Sequence, residues 1–299
     1  MRSDRRDGSA DPRVLIITGD GLNCERETAW AFARAGAQCD LVHIADILNT
    51  AGRLAEYDAL AFIGGFSNGD HLGAGTVQAS RFRHRLKGDL QECIDQGRPI
   101  IGICNGFQTL VKMGILPGDL PGGGARPGEP GRGTLPAEPA EGWRRIATIM
   151  ANDSGKFEDR WVHLTIDPDS PCIWTRGLKR LFLPVRHGEG KFFMADREQM
   201  ALLESNSQVV ARYATPEGEP TQEYPENPNG SQGAIAAVCD PSGLIFGLMP
   251  HPEGFISPYQ HPSWTRDTAL GRPLPREGEG LAVFRNAVTY LRRTADGSR

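Results

Sequence analysis

A single cysteine stands between an apolar segment and a polar one in PIIGICNGFQTL, residues 99–110. The apolar residues predict a short buried strand, and the residues from Asn105 onward predict a helix, so Cys104 lies in the tight turn of a nucleophile elbow. Gly102 and Gly106 flank the cysteine and let such a turn close. The positive end of the helix dipole favours a thiolate, and unbonded N–H groups there can bind an oxyanion. The alternative is a small apolar residue in the core, because free cysteines are commonly buried.

A base for this thiol is present near the other end of the chain, in LIFGLMPHPEG, residues 244–254. His251 and Glu253 flank Pro252, and the residue before a proline favours an extended conformation. Residues i and i+2 of an extended chain point to the same side, about 7 Å apart. The carboxylate can then bind one imidazole nitrogen and leave the other for a thiol. A solvated turn is the alternative. The apolar run before His251 predicts another strand. If this strand is parallel to the one before Cys104, His251 and Glu253 lie at the same sheet edge as Cys104.

Predicted strands and helices, the elements that must position these residues, alternate along the first third of the chain. Branched apolar runs predict buried strands, and amphipathic segments between them predict helices, which together indicate βαβ units. We therefore expect an α/β fold with a doubly wound, mostly parallel sheet and a ligand beyond the carboxyl ends of its strands. The predicted strands are VLIIT, QCDLVHI, ALAFIGG, PIIGI, RIATIM, WVHLTI, LFLPV, QVVARY, AIAAV and LIFGLM, and the predicted helices include ERETAWAFARAG, SRFRHRLKGDLQECIDQG and LAVFRNAVTYL.

Composition narrows the class of protein. The chain has 299 residues, a formal charge of −4 and a pI near 6.0, which argues against nucleic acid or an anionic membrane as the main partner. No apolar run approaches the roughly 20 residues that cross a bilayer. Six cysteines without CxxC spacing predict neither a zinc site nor a disulfide framework, and they favour the cytoplasm. We expect a disordered extension at 1–13, one domain at 14–291 with a Pro/Gly-rich loop insertion at 117–142, and a disordered tail at 292–299.

Several motifs resemble those of one enzyme family. GICNGFQTL is similar to the nucleophile motif of the class I (triad) glutamine amidotransferases, and MPHPE to their His-x-Glu motif. IGGFSNGD, the asparagine after the cysteine, PVRHGEGKFF and NPNGS resemble the glutaminase subunits of phosphoribosylformylglycinamidine synthase. The resemblance implies a flavodoxin-like, three-layer fold for residues 14–291. Gly254 departs from the pattern, since the family commonly has arginine after His-Pro-Glu.

The resemblance also implies roles for the residues above. Cys104 would attack the side-chain amide of glutamine, His251 would hand a proton to the departing ammonia, and Glu253 would hold the imidazole. The backbone N–H groups of Gly65 and Asn105 would form the oxyanion hole.

Two further residues are implied for the glutamine pocket, Gln108 and His187. For His187 a purely structural role in a turn is an equal alternative.

No cofactor or metal is expected on this chain. It lacks G-x-x-x-x-G-K-[ST], and ITGDGLNCERE has cysteine in place of the third glycine of a dinucleotide fingerprint. The resemblance places ATP and Mg²⁺ on a synthetase partner, which acts together with a small accessory subunit. That complex, a carbon–nitrogen ligase, converts formylglycinamide ribonucleotide to formylglycinamidine ribonucleotide in purine biosynthesis.

Two alternatives to this function stay open from the residues alone. One is a stand-alone cysteine hydrolase of γ-glutamyl or peptide bonds. The other is a non-catalytic, flavodoxin-like binding module whose cysteine only packs or reacts with oxidants.

Overall fold

The computed structural model describes residues 11–120 and 143–297. The strands of this part are β1 Arg13–Thr18, β2 Gln38–His43, β3 Ala59–Phe62, β4 Ile100–Ile103, β5 Thr148–Ala151, β6 Glu158–Ile166, β7 Arg180–His187, β8 Glu189–Phe193, β9 Val209–Ala214, β10 Ile235–Cys239 and β11 Ile245–Leu248. Its helices are α1 Glu25–Ala35, α2 Ile44–Asn49, α3 Thr76–Arg85, α4 Lys87–Asp95, α5 Asn105–Met113, α6 Arg197–Ser205, α7 Trp264–Ala269 and α8 Leu281–Ala295.

Nine of the described strands form one sheet in the order β2-β1-β3-β4-β11-β10-β9-β6-β7. The strands β2, β1, β3, β4 and β11 run parallel, and the remaining strands extend the sheet in antiparallel fashion. Helix α1 packs against α8, and α3 packs against α5. The predicted α/β fold with a doubly wound sheet is thus confirmed.

The centre of this sheet places the two candidate motifs side by side. Strand β4 is buried along its whole length, and β11 pairs with it in parallel, with Leu248 opposite Ile103. Because parallel strands end at the same edge, the residues that follow β4 and β11 emerge next to one another. The strand before His251 is therefore parallel to the strand before Cys104, as their proximity requires.

One predicted helix is wrong, because residues 80–97 belong to two helices and not to one. The backbone of Leu86 leaves the helical region, with φ −126° and ψ 11°, and separates α3 from α4. The Leu86 side chain is 4% exposed, so the kink turns an apolar residue into the core. The hydrophobic spacing continues across the break, which explains why it predicts a single helix.

A second difference lies at residues 189–205, for which the sequence predicts no element. These residues form β8, which pairs with β5 outside the main sheet, and then α6. The Asp196 carboxylate caps α6 by accepting from the N–H groups of Glu198 and Gln199.

The boundaries of the predicted domain move outward at both ends. Arg13 already belongs to β1, although the sequence assigns it to a disordered extension. At the other end α8 runs to Ala295, past the predicted start of the tail. Arg292 holds this last turn by donating to the Asp11 carboxylate and to the carbonyl of Gly36, each at 2.8 Å.

Two of the sequence predictions fall largely outside the described residues. These are the N-terminal extension up to residue 10 and the Pro/Gly-rich loop from residue 121 to residue 142. In the part of the chain that the structure describes, none of the helices combines the length and apolar character needed to cross a membrane.

Candidate active site

Cys104 occupies the turn between β4 and α5, as predicted. Its backbone has φ 52° and ψ −106°, a region that residues with a side chain rarely adopt. The Cys104 N–H donates to the Leu248 carbonyl of β11 at 2.8 Å, and the thiol lies 3.6 Å from the Arg186 carbonyl. A hydrogen bond to the neighbouring strand therefore holds the strained conformation, in which the sulfur lies beside β7.

The two glycines that flank Cys104 are required by close backbone approach. A Cβ on Gly106 would lie 2.0 Å from the Phe62 carbonyl oxygen of β3. A Cβ on Gly102 would lie 2.6 Å from Leu110 Cδ1 and 2.9 Å from the Gly106 carbonyl. Helix α5 consequently begins at a distance from β3 and β4 that only glycine permits.

His251 and Glu253 form a short, fully buried contact. His251 Nδ1 lies 2.6 Å from Glu253 Oε1, and the two residues are 2% and 0% exposed. The His251 N–H donates to the Pro184 carbonyl of β7 at 2.8 Å, which fixes the backbone beside the imidazole. His251 itself is extended, as predicted, with φ −105° and ψ 92°.

The extended geometry predicted for the whole motif is wrong beyond His251. Pro252–Gly254 forms a 3₁₀ turn, in which the Gly254 N–H donates to the His251 carbonyl at 3.1 Å. The turn brings the Glu253 carboxylate back to the imidazole over a shorter path than an extended chain allows. Proline at the first position of this turn suits its fixed φ.

Electrostatics favours the protonated form of His251. Burial lowers the pKa of His251, but the negative charge of Glu253 and the thiols of Cys104 and Cys24 raise it, and the net pKa lies well above the usual value. His251 Nε2 and Glu253 Oε2 have no hydrogen-bond partner among the described residues. The site can therefore hold an imidazolium whose second nitrogen is available to a reacting group.

The backbone around Gly65 leaves one N–H group unused. Gly65 has φ 138°, and a Cβ there would lie 2.7 Å from the Gly21 carbonyl oxygen. The adjoining backbone bonds run from Asn23 N–H to the Gly64 carbonyl at 3.2 Å and from Phe66 N–H to the Gly21 carbonyl at 2.8 Å. The N–H of Gly65 lies between these bonds and has no backbone partner within residues 11–120 and 143–297.

Asn105 and Gln108 belong to one buried hydrogen-bond network. The Asn105 amide donates to Asp70 Oδ1 at 3.1 Å and to Gln108 Oε1 at 3.0 Å, and it accepts from the Ser67 N–H at 3.4 Å. Gln108 Nε2 donates to the Glu189 carbonyl. Burial raises the pKa of Asp70, and the Asn105 bond opposes that shift. The network ties the segment after β3 to α5.

His187 lies close to the same site at the end of β7. It is 2% exposed, and its Nδ1 lies 3.1 Å from Asn152 Oδ1, whereas Nε2 has no partner among the described residues. Burial, assisted by the charge of His251, lowers the pKa of His187 to about 3. His187 is therefore a neutral imidazole at physiological pH.

Cys24, which none of the sequence motifs assigns to the site, joins the same cluster. Its Sγ lies 4.0 Å from His251 Nδ1. The donor atoms of Cys24, His251 and Glu253 lie within 4.8 Å of one another, a grouping that can hold a metal ion, although His251 Nδ1 already bonds Glu253. The fingerprint-like spacing concerns the glycines before Cys24 and gives the cysteine no role. The usable signal is its position just after a parallel strand, β1, that ends at the same edge as β4.

The fold and this site define a class of protein, an α/β domain that gathers a cysteine elbow, a histidine and a glutamate at the carboxyl edge of a parallel sheet. A family model described as "CobB/CobQ-like glutamine amidotransferase domain" matches residues 11–291. The phosphoribosylformylglycinamidine synthase subunit PurQ of Dehalococcoides mccartyi is 41% identical over 281 residues, which cover 94% of this chain and 98% of that protein. The PurLQS structure from Thermotoga maritima matches with a TM-score of 0.64 and 26% identity, over 94% of this chain and 100% of that chain.

The chain therefore belongs to the PurQ family of glutamine amidotransferase subunits. The human phosphoribosylformylglycinamidine synthase is 35% identical over 263 residues, which cover 86% of this chain but only 19% of the human protein. A chain of this family thus corresponds to one part of that longer enzyme.

Proposed function

We propose that this chain is the glutaminase subunit of a phosphoribosylformylglycinamidine synthase. It hydrolyses glutamine to glutamate and ammonia and passes the ammonia to a synthetase partner. The observation that carries the proposal is the buried 2.6 Å contact between His251 and Glu253 beside the strained turn of Cys104. A hydrolytic cysteine needs this combination of nucleophile, base and orienting carboxylate.

The proposed reaction proceeds in two steps. The Cys104 thiolate adds to the side-chain amide carbon of glutamine, and a carbon–sulfur bond forms. The carbon–nitrogen bond then breaks as the His251 imidazolium gives its proton to the departing ammonia. Water then attacks the thioester while His251 takes up its proton, and the carbon–sulfur bond breaks to release glutamate, which restores the thiolate and the imidazolium. Glu253 keeps Nδ1 protonated and stabilises the imidazolium throughout.

The proposed oxyanion hole uses two backbone N–H groups that face the developing charge. The N–H of Gly65 has no backbone partner among the described residues, and Asn105 begins α5, where N–H groups lack partners inside the helix. The Asp70 network supports this arrangement because it fixes the side chain of Asn105. Donors held in place before the reaction stabilise an oxyanion most effectively.

We assign Gln108 and His187 to the glutamine pocket with different roles. Both ends of the Gln108 amide are already bonded within the protein, so it shapes the pocket wall through Asn105 and Glu189. His187 keeps one ring nitrogen without a partner among the described residues, and this nitrogen is available to the substrate.

The partner follows from the relatives. The PurQ relatives are named as subunits, and the human enzyme carries the matching segment within a longer synthase. We therefore assign ATP, Mg²⁺ and formylglycinamide ribonucleotide to a separate synthetase subunit, assisted by a small accessory subunit. The product is formylglycinamidine ribonucleotide, and the free thiols of the described residues suit a cytoplasmic reaction of purine biosynthesis.

The experiment measures glutamate and ammonia release from glutamine, with and without the synthetase subunits, ATP and formylglycinamide ribonucleotide. We expect the complex to stimulate glutamine hydrolysis and to form the amidine product. Equal hydrolysis of γ-glutamyl peptides by the chain alone would instead support a stand-alone hydrolase. Cys104→Ala must abolish turnover, whereas Cys93→Ala, at a buried cysteine of α4, is the matched control that retains it.

A further inference from the structure

Cys24 lies at a junction between the loop after β1 and the candidate active site. It is 7% exposed and immediately precedes α1. Its carbonyl accepts from the Thr28 N–H at 3.1 Å and from Thr28 Oγ1 at 2.7 Å. Its thiol lies 3.4 Å from Asn23 Oδ1 and 4.0 Å from His251 Nδ1. The backbone of Cys24 is thus fixed by the helix while its sulfur contacts the imidazole.

The loop that carries Cys24 is also bound to the segment after β3. Besides the Asn23 and Phe66 bonds described above, the Asn68 N–H donates to the Asp20 carbonyl at 2.8 Å. The loop and the proposed oxyanion segment therefore form one hydrogen-bonded unit. A displacement of Cys24 would require this unit to move with it.

The imidazole of His251 fits closely between this unit and its own strand. A Cβ on Gly64 would lie 2.7 Å from His251 Cε1 and 3.0 Å from Cys24 Sγ. The ring edge, the sulfur and the Gly64 backbone are therefore in mutual contact. Glu253 holds Nδ1 by a hydrogen bond, but one bond still leaves the ring able to tilt about it. Cys24 Sγ, 4.0 Å from Nδ1, is a second contact on the ring.

We propose that Cys24 is a positioning residue, whose sulfur packs against the imidazole of His251 and holds the ring so that Nε2 faces Cys104. This inference rests on the proposed glutaminase activity. It adds to that activity a second thiol, Cys24, which acts through His251 and not on the substrate.

The chemistry of the thiol suits this role. Burial raises the pKa of Cys24, so the group stays neutral at physiological pH and adds no second negative charge beside Glu253. A neutral sulfur is polarisable and packs well against an aromatic ring. The charged or titratable groups that act on His251 are then Glu253, Cys104, Cys24 and His187.

The test compares Cys24→Ala, Cys24→Ser and Cys93→Ala as full chains in complex with the synthetase subunits. Cys93 is a matched control because it is also a buried free cysteine, at 1% exposure, but lies in α4. Steady-state glutaminase kinetics give kcat and KM, and the pH dependence of kcat/KM reports the imidazolium. Thermal unfolding of each variant measures any general loss of stability.

We expect Cys24→Ala to lower kcat by about tenfold to a hundredfold, since a small misplacement of a catalytic group has effects of this size. KM should stay within about twofold because the residue does not touch substrate. The basic limb of the pH profile should move to lower pH, since Cys24 helps to raise the pKa of His251. Cys24→Ser should recover part of kcat, and Cys93→Ala should leave kcat and the pH profile unchanged.

Three results would overturn the inference. They are a wild-type kcat in Cys24→Ala, a loss of kcat with an unchanged pH profile, and an equal loss in Cys93→Ala. These outcomes differ from failure of the proposed function, which would appear as absent glutamine turnover in the wild-type complex.

Discussion

Replacing Gly106 by alanine tests whether the elbow depends on close backbone packing. The added Cβ would lie 2.0 Å from the Phe62 carbonyl oxygen, where real contacts stay above 3.0 Å. Both groups are backbone-fixed, so α5 must move away from β3 by about 1 Å or the strand must shift by as much. Overpacking of this kind costs about 3 kcal/mol, which lowers Tm by about 5 °C in a domain of this size.

The same shift displaces Cys104, which precedes Gly106 by two residues, relative to His251. A misplacement of about 1 Å lowers kcat by about a hundredfold. Thermal unfolding and glutaminase assays of the purified complex measure the two effects together. Gly88→Ala is the matched control, because a Cβ there meets nothing within 4 Å and should stabilise α4 by about 0.5 kcal/mol. Wild-type Tm and kcat in Gly106→Ala would refute the packing argument for the elbow.

Three further substitutions test the electrostatics and the hydrogen bonds. Glu253→Gln removes the charge that raises the pKa of His251, so the basic limb of the kcat/KM profile should move to lower pH. We also expect kcat to fall about a thousandfold, which corresponds to a charge pair worth about 4 kcal/mol. An unchanged pH profile would contradict this. His187→Gln should leave the limbs between pH 5 and 8 in place, since the pKa of His187 is about 3, and a limb that disappears would show that His187 titrates there. Asp70→Ala should raise KM or lower kcat by about tenfold because it removes the oxygen that accepts from the Asn105 amide; the same kinetics measure this, and wild-type values would exclude the network from catalysis.

The elements with strong local patterns could be predicted from the sequence. The turn at Cys104 follows from a buried strand, two glycines and an amphipathic helix, and each of these has a local cause. The parallel pairing of β4 and β11 could not be predicted from the sequence, because strand pairing joins segments far apart in the chain. This pairing decides whether His251 lies close to Cys104.

The structural features that could not be predicted from the sequence depend on contacts between distant segments of the chain. The kink at Leu86 arises because the core accepts that side chain, and the hydrophobic spacing is the same with or without it. The turn at Glu253 replaces an extended chain because a buried imidazole offers its carboxylate a partner. Cys24 has no motif of its own, and only the order of the strands brings it to His251.

The central claim is that Cys104 carries a glutamyl thioester during turnover. The direct measurement is acid quenching of the working enzyme with glutamine, followed by mass spectrometry of its peptides. We expect one glutamyl group on the peptide that contains Cys104 and none on the peptide that contains Cys24. A glutamyl group on Cys24, or glutamate formation at the wild-type rate by Cys104→Ala, would contradict the mechanism.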